Sequence, residues 1–358
     1  MKSWKNTLVL GLAGAMGLSV SATSLSAAET FRVTMATGHP STFLWVAVTR
    51  DHFIPEVDRL LEEAGGDYRI DWNEAYGTLV RPGGELDAVR TGITDMAFVI
   101  TLFVEPQMPL QNVTYVTPFT TDDVLLMTRI LTEMHEEIPE LRDTWDEYDQ
   151  VYLDGASVDT YHLLTNFPVE KREDLEGRRI GTQGPSALWF QNTGATTVSA
   201  TLADHYNNIQ TGVYEGGVAF ITGAYPPRIH EVAPHVAEVN FGAMFVGGLS
   251  VNRSVWESFP EVVQEAFVEA AASYREEFAR RQNENVANFR ESMVEDGATF
   301  TELSEEERRA WANDLPNLAA EWAERMEEQG LPGRLVLETY MEKMREAGAE
   351  VLRDWDKE

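Results

Sequence analysis

The chain contains no cysteine. No disulfide can form, no thiolate can act as a nucleophile, and no lipid can be attached through a cysteine near the N-terminus. Lysine is scarce too: there are 5, so 23 of the 28 basic residues are arginine. Basic residues are outnumbered by 59 acids, for a formal net charge of −31 over 358 residues. A surface this acidic repels nucleic acid and anionic lipid, which excludes both as partners. A halophilic, salt-rich setting, where screening weakens self-repulsion, accounts for the charge.

Catalytic signatures are missing as well. HEVAPH (230–235) spaces its histidines five apart with Pro234 before the second, so the imidazoles cannot share a helix face. Gly184-Pro185-Ser186 lacks the glycine of a nucleophile elbow, and RPGGE lacks the Lys-Ser/Thr ending of a phosphate loop. Carboxylate pairs are common, but in so acidic a chain they arise at any spacing by chance. An enzyme is not the leading expectation, and no cofactor or metal is called for.

What is present begins with an export signal. Lys2 and Lys5 precede an uncharged, mostly apolar stretch, and Ser26-Ala27-Ala28 offers small residues for cleavage before Glu29. Residues 1–28 are thus expected to be a cleaved signal peptide. The mature protein is expected in the periplasm, with a charge of −33 once the two lysines leave. No later apolar run reaches membrane-spanning length.

The mature chain alternates strand and helix signals. FRVTMATGHP (31–40) predicts a strand ending in a turn, and helical spacing follows over 44–63. DYRIDWNEAYG and TDMAFVI predict two more strands with a short helix, 85–91, between them. A helix over 123–135 leads to the strand QVYLDGASV (150–158). The order then repeats through TYHLLTNFPV, RRIGTQ, a short helix at 187–193 and GVAFITG. GAMFVGGLSVN (242–252) reads as an apolar strand that returns to the first half. This rhythm predicts an α/β fold in two lobes with hinge strands and a cleft between them. One lobe takes 29–155 plus 249–300, the other 156–248 plus 301–358. From Ser258 onward one apolar stripe marks a long helix, with Glu-rich helices after it and a coiled coil as the alternative.

These segments resemble a known family. LVRPGGELDAVRTGITDM (79–96), VEKREDLEGRRI (169–180) and IQTGVYEGGVAF (209–220) follow the order and spacing of TRAP-transporter solute-binding proteins of the dicarboxylate-binding type. The resemblance runs from Phe31 to about Gly297. It implies a two-lobed binding protein, with a long helix spanning both lobes, that closes on a small solute and docks on membrane permease subunits, without chemistry of its own. The alternatives are a sensory protein presenting the same closed lobes to a membrane receptor, and an exported hydrolase with a carboxylate pair.

In that family the strand after DLxG reads Ile-Arg, and the resemblance implies an arginine that grips the solute's carboxylate as a fork. Gly181 stands at this position. A second arginine, one strand earlier, is matched by His162, and a polar Asn is matched by Ala219. A carboxylate buried without a cation would cost several kcal/mol. A small amine or amino alcohol such as ethanolamine is therefore the expected solute. A neutral polyol or sugar is next, then an organic acid held by Arg81 or His162. A slipped alignment would bring Arg178 or Arg179 to the site instead.

The expected ligand-binding residues are His39, Trp45, Glu74, Tyr76, Phe98, Tyr161, His162, Gly181, Gln183, Trp189, Phe220 and Tyr225, with Phe43 and Asp159 as further candidates. The aromatics would supply faces for a cation, and Trp189 would cover the ligand where the arginine is missing. Each aromatic has a plain alternative as core, Glu74 as a solvated acid and His39 as a turn residue.

Overall fold

A computed structural model describes residues 28–357. The expected signal peptide, apart from Ala28, lies outside the described residues. Among the described residues, eleven strands form two sheets. β1 (Glu29–Thr37), β2 (Tyr68–Tyr76), β3 (Met96–Ile100) and β4 (Gln150–Val158) belong to the first. β5 (Tyr161–Thr165), β6 (Arg179–Thr182), β7 (Thr196–Ser199), β8 (Gly216–Phe220) and β9 (His235–Glu238) belong to the second. β10 (Met244–Asn252) returns to the first sheet and β11 (Thr299–Glu302) to the second, giving the orders β2-β1-β3-β10-β4 and β11-β9-β5-β8-β6-β7.

Parallel pairing of β1 with β2 and β3 needs helical crossovers, which 44–63 and Glu85–Arg90 supply. β10 runs antiparallel between β3 and β4, and Met244–Val251 are all buried, as a strand covered on both faces requires. The chain crosses between lobes after β4 and again after β9. This makes two hinge strands, as the apolar run 242–252 predicted.

The helix expected over 44–63 is not uniform. Leu44–Val48 and Ile54–Glu63 are α-helical, but Thr49–Phe53 is π-helical. Pro55 has no N–H to donate and crowds the carbonyl four residues back, and the wider turn accommodates it.

The two lobes carry the same local device. Glu85–Arg90 and Leu202–Gln210 each end at a threonine followed by a glycine with φ of 72°, then enter a strand. In both, the residue after the glycine donates its N–H back to the last helical turn, Ile93 to Ala88 O and Val213 to Asn208 O. A side chain at that φ would be strained, so glycine closes both helices.

Helix Glu261–Glu295, about 52 Å long at 1.5 Å per residue, spans both lobes. Its Val263, Phe267, Ala270, Tyr274 and Phe278 join the large core that covers the first sheet, whereas Met293 joins the core of the second. Midway, Gln282 donates to Asp159 Oδ1 at 2.6 Å, and the Thr222 hydroxyl donates to the same oxygen at 2.6 Å. Asp159 thus ties the first hinge strand to the second lobe and the long helix. Burial raises its pKa to about 6.

No long coiled coil follows. Pro316 and the Gly330–Gly333 break divide the C-terminal part into Glu305–Asp314, Leu318–Glu328 and Gly333–Glu346, and the last two pack on each other. Trp355 Nε1 donates to Pro118 O and Leu352 N to Phe119 O, so the C-terminus braces the segment before the helix Val124–Glu137.

Candidate functional site

The C-terminal ends of parallel strands are where α/β lobes leave room for a ligand. Here β1, β3, β6 and β8 end on one cleft of about 350 Å³. The first lobe lines it with His39 and Pro40 of the turn after β1, Phe43, Trp45, Leu102 and Phe103. The second contributes Tyr161, Gln183, Thr201, Leu202 and Phe220.

The turn that presents His39 is held from below. Gly38 N donates to Glu85 Oε1 at 2.9 Å, and the Thr37 hydroxyl donates to His39 O at 2.7 Å. The imidazole packs against Phe43 at 4.9 Å, Trp45 at 5.3 Å and Phe103 at 6.0 Å, so the first-lobe wall is a cluster of four rings. Burial lowers the His39 pKa to about 4, which keeps the ring neutral at pH 7. Opposite, Tyr161 and Phe220 meet at 5.0 Å. No Asp, Glu, Lys or Arg is among the lining residues.

Of the expected residues, His39, Trp45, Tyr161, Gln183 and Phe220 come together in this lining, with Phe43. The others lie elsewhere. Glu74 is exposed near the end of β2, and Tyr76 closes the same strand. Phe98 is core, 6.2 Å from Tyr274. Strand alternation turns His162 away from Tyr161. Its Nδ1 accepts from Asn240 N, and burial together with Arg290 and Arg308 lowers its pKa to about 3. Tyr225 stacks on Phe289 at 4.6 Å and on His230.

Trp189 is not among the lining residues. It is fully buried, donates Nε1 to Tyr115 O at 2.8 Å, and is stacked with Phe241 at 4.9 Å and Tyr115 at 6.1 Å. Neither of the neighbouring arginines turns to the cleft. Arg178 lies 4.0 Å over the Phe167 ring, and Arg179 reaches Glu215 and Gly212 O. Arg81 is not part of the lining.

Gly181 has a packing reason. A Cβ there would meet the Tyr214 ring at 2.7 Å and His205 Cε1 at 2.8 Å, and a Cβ on Gly217 would meet His205 Cε1 at 2.7 Å. The His205 imidazole therefore lies directly on two glycine backbones, where neither could carry a side chain. Gly181→Ala is expected to cost about 1–3 kcal/mol by overpacking, measured by urea unfolding. An unchanged midpoint would show that this contact does not constrain the strand.

Sequence reasoning missed Leu102, Phe103 and Thr201–Ala203. Phe103 had a usable signal, since it lies in the turn Thr101–Val104 just past the end of β3. The second group had one in Thr201 with Asp204: the backbone N–H and hydroxyl of Thr201 both donate to Asp204 at 2.7 Å, fixing the start of Leu202–Gln210 at the cleft.

Comparison with known proteins agrees with this architecture. A C4-dicarboxylate-binding periplasmic protein of Rhodobacter capsulatus is 28% identical over 171 residues, 46% of this chain and 50% of that protein. An ectoine-binding periplasmic protein of Halomonas elongata is 24% identical over 235 residues, 63% of this chain and 66% of that one. The matches thus span about half to two thirds of these curated relatives. Among solved structures, a TRAP solute-binding protein of Rhodoferax ferrireducens in complex with benzoate superposes with a TM-score of 0.75 at 15% identity, covering 89% of this chain and 98% of that one. One from Bordetella bronchiseptica with bound mandelate gives 0.74 at 19% identity, covering 88% and 99%. The model of family 7 of the bacterial extracellular solute-binding proteins, the DctP family, matches residues 56–326. The chain belongs to that family.

Proposed function

We propose that the protein is the periplasmic solute-binding subunit of a TRAP-type secondary transporter, and that it carries a small solute other than an organic acid to membrane permease subunits. It binds and does not catalyse. The observation that carries this reading is a cleft between two lobes, walled by aromatic rings and free of charged side chains. The two hinge strands suit closure by lobe rotation, and a solute that touches both lobes stabilises the closed form by its differential affinity.

An acid is disfavoured because no guanidinium or ammonium group lines the cleft, and His39 stays neutral there. A buried carboxylate would lose its hydration without a counter-charge. The same argument bears on an amine. Glu74 lies outside the lining, so an ammonium would find no carboxylate. Cation–π contacts of roughly 0.5–2 kcal/mol each offset only part of that cost. An uncharged solute, such as a compact alcohol or other neutral polar molecule, is therefore the reading that the geometry supports best. A small amine or amino alcohol such as ethanolamine is second, supported by the rings of Phe43, Trp45, Tyr161 and Phe220.

The test is the melting temperature of residues 29–358 at high salt against a panel of neutral, cationic and anionic solutes. A ligand at 100 times its Kd adds about 2.7 kcal/mol of native stability, so a true solute stands out. Neutral solutes are expected to raise the melt and dicarboxylates to leave it unchanged. Stabilisation by acids alone would overturn the proposed solute class.

A further inference from the structure

The cleft carries an unusual set of unused hydrogen-bonding atoms. Gln183 is 6% exposed and its Nε2 is fully engaged: it lies 2.7 Å from His205 Nε2 and donates to Val218 O at 3.1 Å. Its Oε1 is buried with no partner among the described residues. His205 lies behind it, with Nδ1 2.8 Å from the Tyr214 hydroxyl and Nε2 3.2 Å from the same Val218 O. A carbonyl can only accept, so the bond to Val218 O holds the Gln183 amide with its nitrogen inward, and the imidazole, lying on Gly181 and Gly217, closes the space behind it. On the opposite lobe Trp45 is also 6% exposed, and its Nε1 has no partner; neither has His39 Nδ1.

An amide oxygen can only accept and an indole N–H can only donate. Buried polar atoms without partners are costly, so a solute that satisfies both binds with an advantage over one that satisfies a single atom. A carboxylate would accept from Trp45 but repel Gln183 Oε1. An ammonium would donate to Gln183 but has nothing to offer Trp45. We infer that the cleft selects an uncharged, ring-sized solute carrying an N–H or O–H donor for Gln183 Oε1 and a carbonyl or hydroxyl acceptor for Trp45 Nε1, the pairing found in amides, lactams and ring-bearing alcohols. Gln183 and Trp45 are the specificity-determining residues, one from each lobe, so that both bonds form only across the closed cleft. His205 is a positioning residue that acts through Gln183. This inference rests on the reading of the cleft as the solute site.

Four probes of one ring size separate the possibilities: benzamide, benzyl alcohol, benzylamine and benzoate, titrated by calorimetry into residues 29–358. Benzamide and benzyl alcohol are expected to bind at least tenfold more tightly than the two charged probes. Trp45→Phe keeps a ring and removes the N–H, and Gln183→Met removes the acceptor at similar volume. Each is expected to weaken benzamide by about tenfold, the usual worth of one hydrogen bond. Trp45→Phe serves as the primary variant, since Gln183→Met also disturbs His205 and its fold is checked by its melt. Unchanged benzamide affinity in Trp45→Phe overturns the inference while leaving a non-acid solute in place. Tightest binding of benzoate overturns both readings. Absence of heat from all four overturns the inference alone, since the wider solute panel still tests the non-acid reading.

Discussion

Acidification from pH 7 to pH 4 is expected to lower the stability of the native protein by several kcal/mol. The cause is a set of buried neutral imidazoles. His135 donates Nδ1–H to Leu131 O at 2.7 Å and accepts at Nε2 from Trp145 Nε1. A second proton would meet an N–H donor head on. His205 is enclosed by Tyr214, Gln183 and Val218 O. His162 faces the charges of Arg290 and Arg308. Burial lowers the pKa from 6.5 to about 4 for His135, His205 and His39, and to about 3 for His162.

The sign follows from proton counting. Between pH 6.5 and about 4 the unfolded chain binds protons at these histidines and the folded chain does not, so stability falls as pH falls. Each fully buried imidazole contributes about 3 kcal/mol over that window, at 1.36 kcal/mol per unit. Buried carboxyls act the other way: Asp58, Glu85 and Glu238 are raised, and Asp154 and Asp159 most of all. Burial raises Asp154 and Asp159 to about 6, so the folded chain takes up their protons first and gains stability as pH drops from about 6 towards 3.8. The four imidazoles, each lowered by two units or more, outweigh these carboxyls, leaving a net loss on acidification. Thermal melts from pH 4 to pH 8 check this. A flat or rising melting temperature below pH 6 would show that these rings are not held neutral.

Trp189→Ala is expected to destabilise the fold by about 3–5 kcal/mol, in the range of a large aromatic removed from a packed core. Trp189 joins four pieces of the chain. Its indole donates to Tyr115 O at 2.8 Å and stacks on Phe241, its ring edge meets Tyr161 at 5.5 Å, and its own carbonyl accepts from Trp311 Nε1 at 2.8 Å. Removing the side chain leaves a cavity between these rings and an unpaired buried carbonyl at Tyr115. Trp189→Phe should recover part of the loss, since it keeps a ring but not the donor. Guanidinium unfolding measures both. A change below 1 kcal/mol accompanied by lost solute affinity would return Trp189 to the cleft and contradict its place in the core.

Much of the fold was legible in the sequence because local patterns carried it. The strands 150–158 and 242–252 read correctly since apolar β-formers bounded by turn residues leave few other options. The return of 242–252 to the first sheet was readable because Met244 to Val251 have no polar face to give to solvent. The π-helical turn at Thr49–Phe53 was not, although Pro55 was the visible cause.

Side-chain direction is where sequence reasoning ran out. His39, Trp45, Tyr161, Gln183 and Phe220 gather at one cleft because the α/β rhythm places together the strand ends, turns and first helical turn that carry them. Trp189 and Phe98 come from equally aromatic segments and end in the core, and Tyr225 packs half-buried against it, because the partner of each is distant in the chain: Tyr115, Tyr274 and Phe289. The sequence by itself determined the α/β rhythm, the crossing strands, the long helix and a family resemblance, since each rests on periodicity or short motifs. The packing of Gly181 against His205 and Tyr214, and the absence of charged side chains from the cleft lining, come from the folded chain alone. Those properties depend on which residues meet across two lobes, and contacts between residues far apart in the chain leave no periodic trace in it.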